Sequence, residues 1–350
     1  MLQDTLDKIK GPDKKARAEA QIRLDSLTKP LGSLGRLEDI AKQVAGITGR
    51  LRPSVDKKAI VIMCSDNGVV EEGVSSCPKS VTASVTQNFM KGITGVNVLS
   101  RHSGADIVVV DIGVDADIQA EGVLNKKIRR GTGNISKGPA MTEKEAVRAI
   151  ETGIDIVRGL ARKGVNLLGT GEMGIGNTTT SSAVAAVLTG KPAASLVGRG
   201  SGLSDEGLDN KIRVIERAIE INKPDPSNPI DVLAKLGGFD IAGLAGCYLG
   251  AAVSRIPILV DGFIASAAAL IATKLKPEAR DFMIASHGSA EPGSSAILEA
   301  LGLEPLLMLG MRLGEGSGAA LAFHIVDAAI SAYNNMGTFD DARIEQYKPL

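Results

Sequence analysis

The chain has 350 residues, 44% of them hydrophobic, and is long enough to bury one large core or one large and one small core. Its 40 basic and 40 acidic residues cancel, and aromatic residues make up only 3%, with no tryptophan. This composition excludes a strongly basic surface and the aromatic platforms on which single strands stack. We therefore expect no nucleic-acid partner.

Cysteine usage and hydropathy favour a cytoplasmic location. Cys64, Cys77 and Cys247 are far apart and lack the CxxC spacing of a zinc site, which is typical of a reducing compartment. The polar first six residues do not resemble a signal peptide, and no window of about 18 apolar residues predicts a transmembrane helix. We expect a cytoplasmic protein with no membrane partner.

Strand and helix patterns alternate along most of the chain. The first 51 residues are charged and have helical spacing, interrupted by a Pro/Gly loop that begins at residue 28. The alternation that follows predicts an α/β fold with a parallel sheet covered on both faces. The predicted strands are 59–64, 106–111, 165–168, 256–260 and 281–285, and the predicted helices are 80–90, 142–163, 181–188, 205–222, 241–253, 262–274 and 316–336.

Polar or glycine-rich segments follow four of these strands directly. They are residues 65–68, 169–177, 261–262 and 286–291. Ligands of parallel sheets bind beyond the carboxyl ends of the strands. The sequence therefore predicts a functional site built from these four segments.

The segment 169–177 is the most informative of the four. Four glycines recur in it, Glu172 lies among them, and Asn177 starts a predicted helix. A strand, glycine loop and helix present backbone N–H groups to an anion, but such turns are common in α/β folds. From this segment alone, we therefore give equal weight to two interpretations, a phosphate-binding loop and a simple tight turn. The mid-chain position argues against a dinucleotide fingerprint.

Further candidates are one carboxylate and two cations. Glu315 lies between glycines before a helix, and apolar neighbours such as Leu313 would raise its pKa towards that of a general base. The simpler interpretation is an acid that complements the helix dipole. Arg199 and Lys211 are candidate ligands for a phosphate or carboxylate, although each alone is more typical of a solvated surface group.

The segment 286–293 leaves open the possibility of a hydrolase with a Ser-His-acid triad. It contains His287, Ser289 and Glu291, but the strained Gly-x-Ser-x-Gly turn of such enzymes is missing. The other two histidines lie in helical contexts, and no HExxH motif occurs. We therefore expect no metal.

Seven blocks together resemble one family, nicotinate-nucleotide–dimethylbenzimidazole phosphoribosyltransferase, which prepares the lower ligand of cobalamin. The resemblance implies transfer of the 5-phosphoribosyl group of nicotinate mononucleotide to a benzimidazole nitrogen, with β-to-α inversion, release of nicotinate and no cofactor. The blocks occur in family order and span nearly the whole chain, at residues 28–38, 66–74, 169–179, 197–202, 261–263, 289–293 and 312–321.

The resemblance also implies roles for individual residues. Glu315 matches the general base, and Glu172 matches a second carboxylate that assists at the ribose or the reacting ring. The residues expected to hold the nucleotide and its phosphate are Gly174, Gly176, Asn177, Thr178, Thr179, Gly200, Gly202 and Lys211. Those expected in the base pocket are Ser80, Gln87, Leu313 and Ser289.

The chain departs from the family at three positions. Asn67 and Ser294 stand where the family usually has histidine, and Cys77 stands where it has tyrosine. These departures bear on which base is accepted rather than on the type of reaction. One alternative is thus a paralogue that activates phenolic or purine bases, as one subunit of a heterodimer.

The family architecture implies a Rossmann-like sheet domain at residues 56–324 and a small helical domain from both chain ends, 1–55 and 325–350. It also implies a homodimer. Two further alternatives stay open: a nicotinamide-dependent dehydrogenase and a silent, non-catalytic subunit. The position of the glycine loop argues against the first, and the presence of both Glu172 and Glu315 argues against the second.

Overall fold

Six parallel strands form one sheet in a computed structural model that describes residues 1–200 and 202–346. The strands are β1 (Lys58–Ser65), β2 (Ala105–Gly113), β3 (Leu124–Asn125), β4 (Leu167–Met173), β5 (Ile258–Val260) and β6 (Met283–Ala285). Their spatial order is β3-β2-β1-β4-β5-β6, and Lys58 of β1 lies opposite Ala105 and Leu167. This is the Rossmann order, which confirms the predicted fold class.

Both faces of the sheet are buried. All eight residues of β1 are inaccessible to solvent. Successive side chains point to opposite faces, so Val61 and Met63 join one core and Ile60 and Ile62 the other. The continuous apolar strands of the sequence are therefore explained by helices on both sides.

Helices fill both layers around the sheet. No helix among the described residues is long and apolar enough to cross a membrane. The helices are α1 (Leu2–Lys8), α2 (Lys14–Ser26), α3 (Arg36–Thr48), α4 (Ser80–Lys91), α5 (Gly95–Ser103), α6 (Glu143–Arg162), α7 (Asn177–Thr189), α8 (Ala193–Leu196), α9 (Asp205–Asn222), α10 (Pro229–Leu236), α11 (Phe239–Ser254), α12 (Phe263–Leu275), α13 (Gly293–Leu301), α14 (Ser317–Asn335) and α15 (Phe339–Ala342), with 3₁₀ helices at Gly68–Glu72 and Pro277–Phe282.

Glycines bring helices α6 and α11 into backbone contact on one face. A Cβ atom at Gly246 would lie 1.9 Å from the carbonyl oxygen of Ile150, and one at Gly153 would lie 2.0 Å from that of Gly243. Only glycine permits this approach. The close packing holds the first turn of α11 near the carboxyl ends of the strands.

Helices α2 and α3 meet the C-terminal segment on the other face. Leu27 pairs with Thr338 in an antiparallel bridge, and the Arg23 side chain donates to the carbonyl of Tyr333 at the end of α14. The proposed division at residues 55 and 324 stays a prediction, and α14 crosses residue 324 as one continuous helix. Helices α2 and α3 thus pack beside the C-terminal segment, whereas α1 packs against α6 and α11 on the first face.

Strands β4 and β3 differ most from the sequence prediction, and β5 and β6 each begin two residues later than predicted. Strand β4 begins later and continues through Gly169 and Gly171, so only residues 174–176 form the loop. These two glycines serve close packing, because a Cβ atom at Gly171 would lie 2.1 Å from the carbonyl oxygen of Glu315. Strand β3 went unpredicted because it is a two-residue, exposed strand with no apolar run.

Candidate active site

A cavity of about 550 Å³ opens at the carboxyl edge of the sheet. Its walls come from the segments that follow β4, β5 and β6 and from the loop before α14. Three of the four segments predicted from sequence therefore meet here, as the geometry of a parallel sheet requires. The remaining segment, 65–68, lies at the end of β1 behind the cavity floor.

Glu315 lies in this cavity in a strained backbone conformation. Its φ is 62°, and the flanking Gly314 and Gly316 also have positive φ. A left-handed conformation is costly for a residue with a side chain and is concentrated at functional sites. One carboxylate oxygen accepts from the N–H of Val96, 3.0 Å away, at the start of α5. Burial raises the pKa of Glu315, and that hydrogen bond opposes the rise.

Asp261 connects the end of β5 to the loop that carries Glu315. Its carboxylate accepts from the backbone N–H groups of Gly316, Gly318 and Ala319 at 3.1, 2.8 and 3.0 Å. Asp261 thereby satisfies the exposed donors at the start of α14 from a different element. Burial raises its pKa, whereas His287 and these donors oppose the rise.

Glu172 lies at the end of β4 among other acids. Its carboxylate accepts from the amide of Asn177, which also donates to Asp240 at 3.1 Å. Burial and then the negative charge of Asp240 raise the pKa of Glu172 to about 8. Glu172 also lies against Gly314, where a Cβ atom would be 2.3 Å from a carboxylate oxygen. The two predicted catalytic glutamates therefore face one cavity.

One part of the cavity wall suits a phosphate. Gly174, Gly176 and Thr178 line it at the N-terminus of α7, where the helix dipole and backbone N–H groups favour an anion. Gly176 has a φ of 90°. Gly174 has no room for a side chain, because a Cβ atom would lie 2.4 Å from the carbonyl oxygen of Ser65.

Lys211 supplies a buried cation beneath this part of the wall. Its ammonium donates to the Thr178 hydroxyl at 2.8 Å and to the carbonyl of Gly198 at 3.1 Å. Loss of hydration lowers its pKa to about 8, and the charge of Glu291 opposes this. A second cavity of about 360 Å³, lined by Gly200 among others, adjoins here.

Part of the cavity wall is apolar. Val85, Met173, Ile264 and Leu313 line it, with Ser289. The Ser289 hydroxyl accepts from the backbone N–H of Glu291 at 3.3 Å. Flat aromatic rings are bound by such apolar walls with a few polar groups.

Most of the predicted residues meet in the main cavity, and five do not line it. Thr179 and Lys211 are buried beneath it, and Gly202 lines the adjoining cavity. Ser80 and Gln87 lie on α4, the helix that provides Val85, and their contact with a base stays a prediction. Those lining the cavity are Glu172, Gly174, Gly176, Asn177, Thr178, Gly200, Ser289, Leu313 and Glu315.

Sequence reasoning missed two aspartates and assigned Asn177 a different contact. In the sequence, Asp261 stands out only as a residue after a strand and within a family block, and Asp240 directly precedes the predicted apolar helix 241–253. The Asn177 side chain contacts carboxylates and makes no cap hydrogen bond. In a parallel sheet, an acid directly after a strand or in the first turn of a buried helix is the signal that would have found both aspartates.

His287 borders the cavity beside Asp261. Its Nδ1 atom lies 3.1 Å from the Ser286 hydroxyl and 4.0 Å from the Asp261 carboxylate. Within residues 1–200 and 202–346, no three His, Cys, Asp or Glu side chains form a group able to hold a metal ion.

The fold is α/β with a cavity at the carboxyl edge of its parallel sheet, and comparison with known proteins identifies its family. A family model described as phosphoribosyltransferase matches residues 9–344. The chain belongs to this phosphoribosyltransferase family.

Its similar relatives carry one more specific name, nicotinate-nucleotide–dimethylbenzimidazole phosphoribosyltransferase. The relative from Ruminiclostridium cellulolyticum is 68% identical over 348 residues, or 99% of each chain. That from Acetivibrio thermocellus is 64% identical over all of this chain and 99% of its own. The crystal structure of CobT from Thermus thermophilus superposes with a TM-score of 0.91 at 40% identity, covering 95% of this chain and 100% of that one.

Proposed function

We propose that this protein transfers the 5-phosphoribosyl group of nicotinate mononucleotide to 5,6-dimethylbenzimidazole or a related base. The products are α-ribazole 5'-phosphate and nicotinate, and the step belongs to assembly of the cobalamin nucleotide loop. The observation that carries the proposal is one cavity shared by Glu172, Glu315 and the N-terminus of α7, with Lys211 buried behind it against Thr178. It occurs in a chain 68% identical to a relative of that name.

Two parts of the cavity orient the donor. The phosphate binds at Gly174, Gly176 and Thr178, within reach of the Lys211 charge. The ribose then lies near Glu172, between the phosphate and Glu315. This orientation presents the anomeric carbon to a base held against the apolar wall.

The displacement needs one proton acceptor. The lone pair of one benzimidazole nitrogen forms the new bond to the anomeric carbon, and the bond to nicotinate breaks with its electron pair returning to the pyridinium ring. The leaving nitrogen therefore needs no proton. The second nitrogen of the attacking ring loses its N–H proton to Glu315, whose raised pKa suits a general base.

Charge in the cavity favours this route. The transition state is an oxocarbenium-like cation, as in glycoside chemistry. The carboxylates of Asp261 and Glu315 line the cavity beside Glu172, whose pKa of about 8 keeps it largely protonated at pH 7. Negative charges fixed in a desolvated site stabilise a developing positive charge without having to reorganise.

A direct assay tests the proposal. Purified protein mixed with nicotinate mononucleotide and dimethylbenzimidazole should release nicotinate and form one ribosylated product of α configuration. Adenine and a phenol at equal concentration, as competing acceptors, test the base class. Release of nicotinate with neither the benzimidazole nor a competitor ribosylated would contradict acceptor transfer.

The assembly and location complete the proposal. We infer a homodimer that works in the cytoplasm. Exposed apolar side chains on segments next to cavity-lining residues support the dimer, among them Ile93, Met308 and Leu313. Cys64, Cys77 and Cys247 are unpaired thiols, which supports a reducing compartment.

A further inference from the structure

Asp240 is a buried acid that the reaction described above does not use. It lies in the first turn of α11 with no exposed surface, behind the cavity rather than in its wall. One of its carboxylate oxygens accepts from the N–H of Ile241 at 3.0 Å. A buried carboxylate is costly unless its oxygens have partners or a purpose.

Asn177 connects Asp240 to Glu172. The amide nitrogen of Asn177 donates to Asp240 at 3.1 Å and to a carboxylate oxygen of Glu172. An asparagine amide has two N–H donors, so these two acids occupy both. The orientation of the amide, and with it the acceptor geometry at Glu172, is thereby determined from the Asp240 side.

Glycines keep Asp240 in this position. A Cβ atom at Gly174 would lie 2.7 Å from one Asp240 oxygen, and a Cβ atom at Gly238 would lie 2.2 Å from the other. Both loops therefore pack their bare backbone against the carboxylate. A side chain at either glycine would therefore displace the Asp240 carboxylate from Asn177.

We propose that Asp240 is a positioning residue that acts through Asn177 to orient Glu172 and to control its protonation during phosphoribosyl transfer. The proposal rests on the function proposed above. Asp240 itself touches no substrate. Its influence reaches the cavity by the amide of Asn177 and by its negative charge.

The charged surroundings of Glu172 predict opposite effects of its two neighbours. Burial and the charge of Asp240 raise the pKa of Glu172, whereas the hydrogen bond from Asn177 lowers it. Removing Asp240 should therefore make Glu172 ionise at lower pH, and removing Asn177 at higher pH. The other titratable groups around Glu172 are Asp261, Glu315, the Cys64 thiol, His287 beside Asp261, and Lys211 buried behind the cavity.

The test measures kcat against pH with saturating nicotinate mononucleotide and dimethylbenzimidazole. The limb of the profile that Glu172→Gln abolishes is assigned to Glu172. Asp240→Asn should move this limb by about one pH unit towards acid, as expected for loss of a nearby like charge, and Asn177→Ala should move it towards alkali. Both shifts should be missing when each change is combined with Glu172→Gln.

The matched control is Asp111→Asn. Asp111 is an equally buried acid at the end of β2 that binds Val114 N–H and Lys127, so its loss should leave the Glu172 limb in place. An Asp240→Asn enzyme with lower kcat but an unshifted profile would overturn the proposal, as would a shift that persists without Glu172. If Asp240→Asn does not fold, an unshifted Asn177→Ala profile overturns it. A wild-type protein that releases no nicotinate contradicts the proposed function instead.

Discussion

At the scale of single residues, Glu315 combines the features expected of a general base. It has a backbone conformation that glycine would adopt more cheaply, and its neighbours on both sides are glycines. Gly171 in β4 and Gly95 at the start of α5 leave space for its backbone and side chain. A glutamate in a strained backbone conformation, where glycine would cost less, indicates that its carboxylate has a functional role.

Replacing Glu315 by glutamine should lower kcat by about 10²-fold or more, as is typical when a general base is lost. The amide keeps the size of the side chain but cannot accept the azole proton. The acid limb of the wild-type profile should also disappear, because activity requires Glu315 to be ionised at a pH above its raised pKa. The rate of nicotinate release, measured across a range of pH, tests both the fall in kcat and the loss of the acid limb. Turnover near that of the wild type would assign the proton to another acceptor.

Lys211 should make donor binding sensitive to alkali. Its pKa of about 8 means that the free enzyme loses this charge as pH rises through 8, so kcat/KM for nicotinate mononucleotide should fall there. Lys211→Met should raise KM for the donor by about 10- to 100-fold at pH 7, the value of a hydrogen bond to a charged group. Arg217→Met, an exposed cation on the same helix α9, is the control. A donor KM unchanged in Lys211→Met would place the phosphate elsewhere.

At the scale of elements, the contact between helices α6 and α11 is the one that most affects the support of the site. These helices approach so closely at Gly153 and Gly246 that backbone touches backbone. The first turn of α11 contains Asp240. The packing of α6 against α11 therefore helps to position Asp240, which in turn binds Asn177 beside Glu172. An element that a sequence identifies only as apolar core is here part of the support of the site.

Gly246→Ala should destabilise the fold, since the added methyl would lie 1.9 Å from a carbonyl oxygen of α6. Overpacking of this kind costs about 1–3 kcal/mol. Gly159→Ala is the matched control on α6, where only an arginine side chain lies 4.0 Å from the added atom and helix propensity favours alanine. Denaturation midpoints should fall for the first variant and hold or rise for the second. Equal midpoints would contradict the close contact.

At the scale of the whole molecule, three large apolar side chains are exposed on segments next to cavity-lining residues. Ile93 is 65% exposed, Met308 78% and Leu313 57%. Leu313 also lines the cavity and packs over Gly95 at the start of α5. Exposed apolar patches beside a site mark an interaction surface.

Light scattering should therefore give twice the chain mass of 36.2 kDa. Ile93→Asp combined with Met308→Asp should reduce the mass towards that of one chain, because charges buried at an interface are unfavourable. Ile22→Asp, on α2 and 71% exposed, should leave the mass unchanged. A wild-type protein of single-chain mass would contradict the homodimer.

Local pattern was enough to predict the fold class, because buried parallel strands have continuous apolar runs and their helices have helical spacing. The five predicted strands each correspond to one in the sheet, and helix α9 (Asp205–Asn222) has the predicted bounds. The family blocks also identified both glutamates. The boundaries of the elements were less predictable, as β4 shows. Glycine occurs both in loops and in closely packed strands, so its presence does not indicate where a strand ends.

The sequence by itself determined the fold class, the family and the two glutamates, since these depend on the order and spacing of residues along the chain. Only the tertiary structure decided which groups support them. Asp261 reaches α14 from β5, and Asp240 reaches Glu172 through Asn177 from α11. Such contacts join residues tens of positions apart in the chain. A single sequence does not indicate which distant residues lie close together across the sheet. Burial, which shifts the pKa of Glu172 and of Lys211, likewise exists only once the chain is folded.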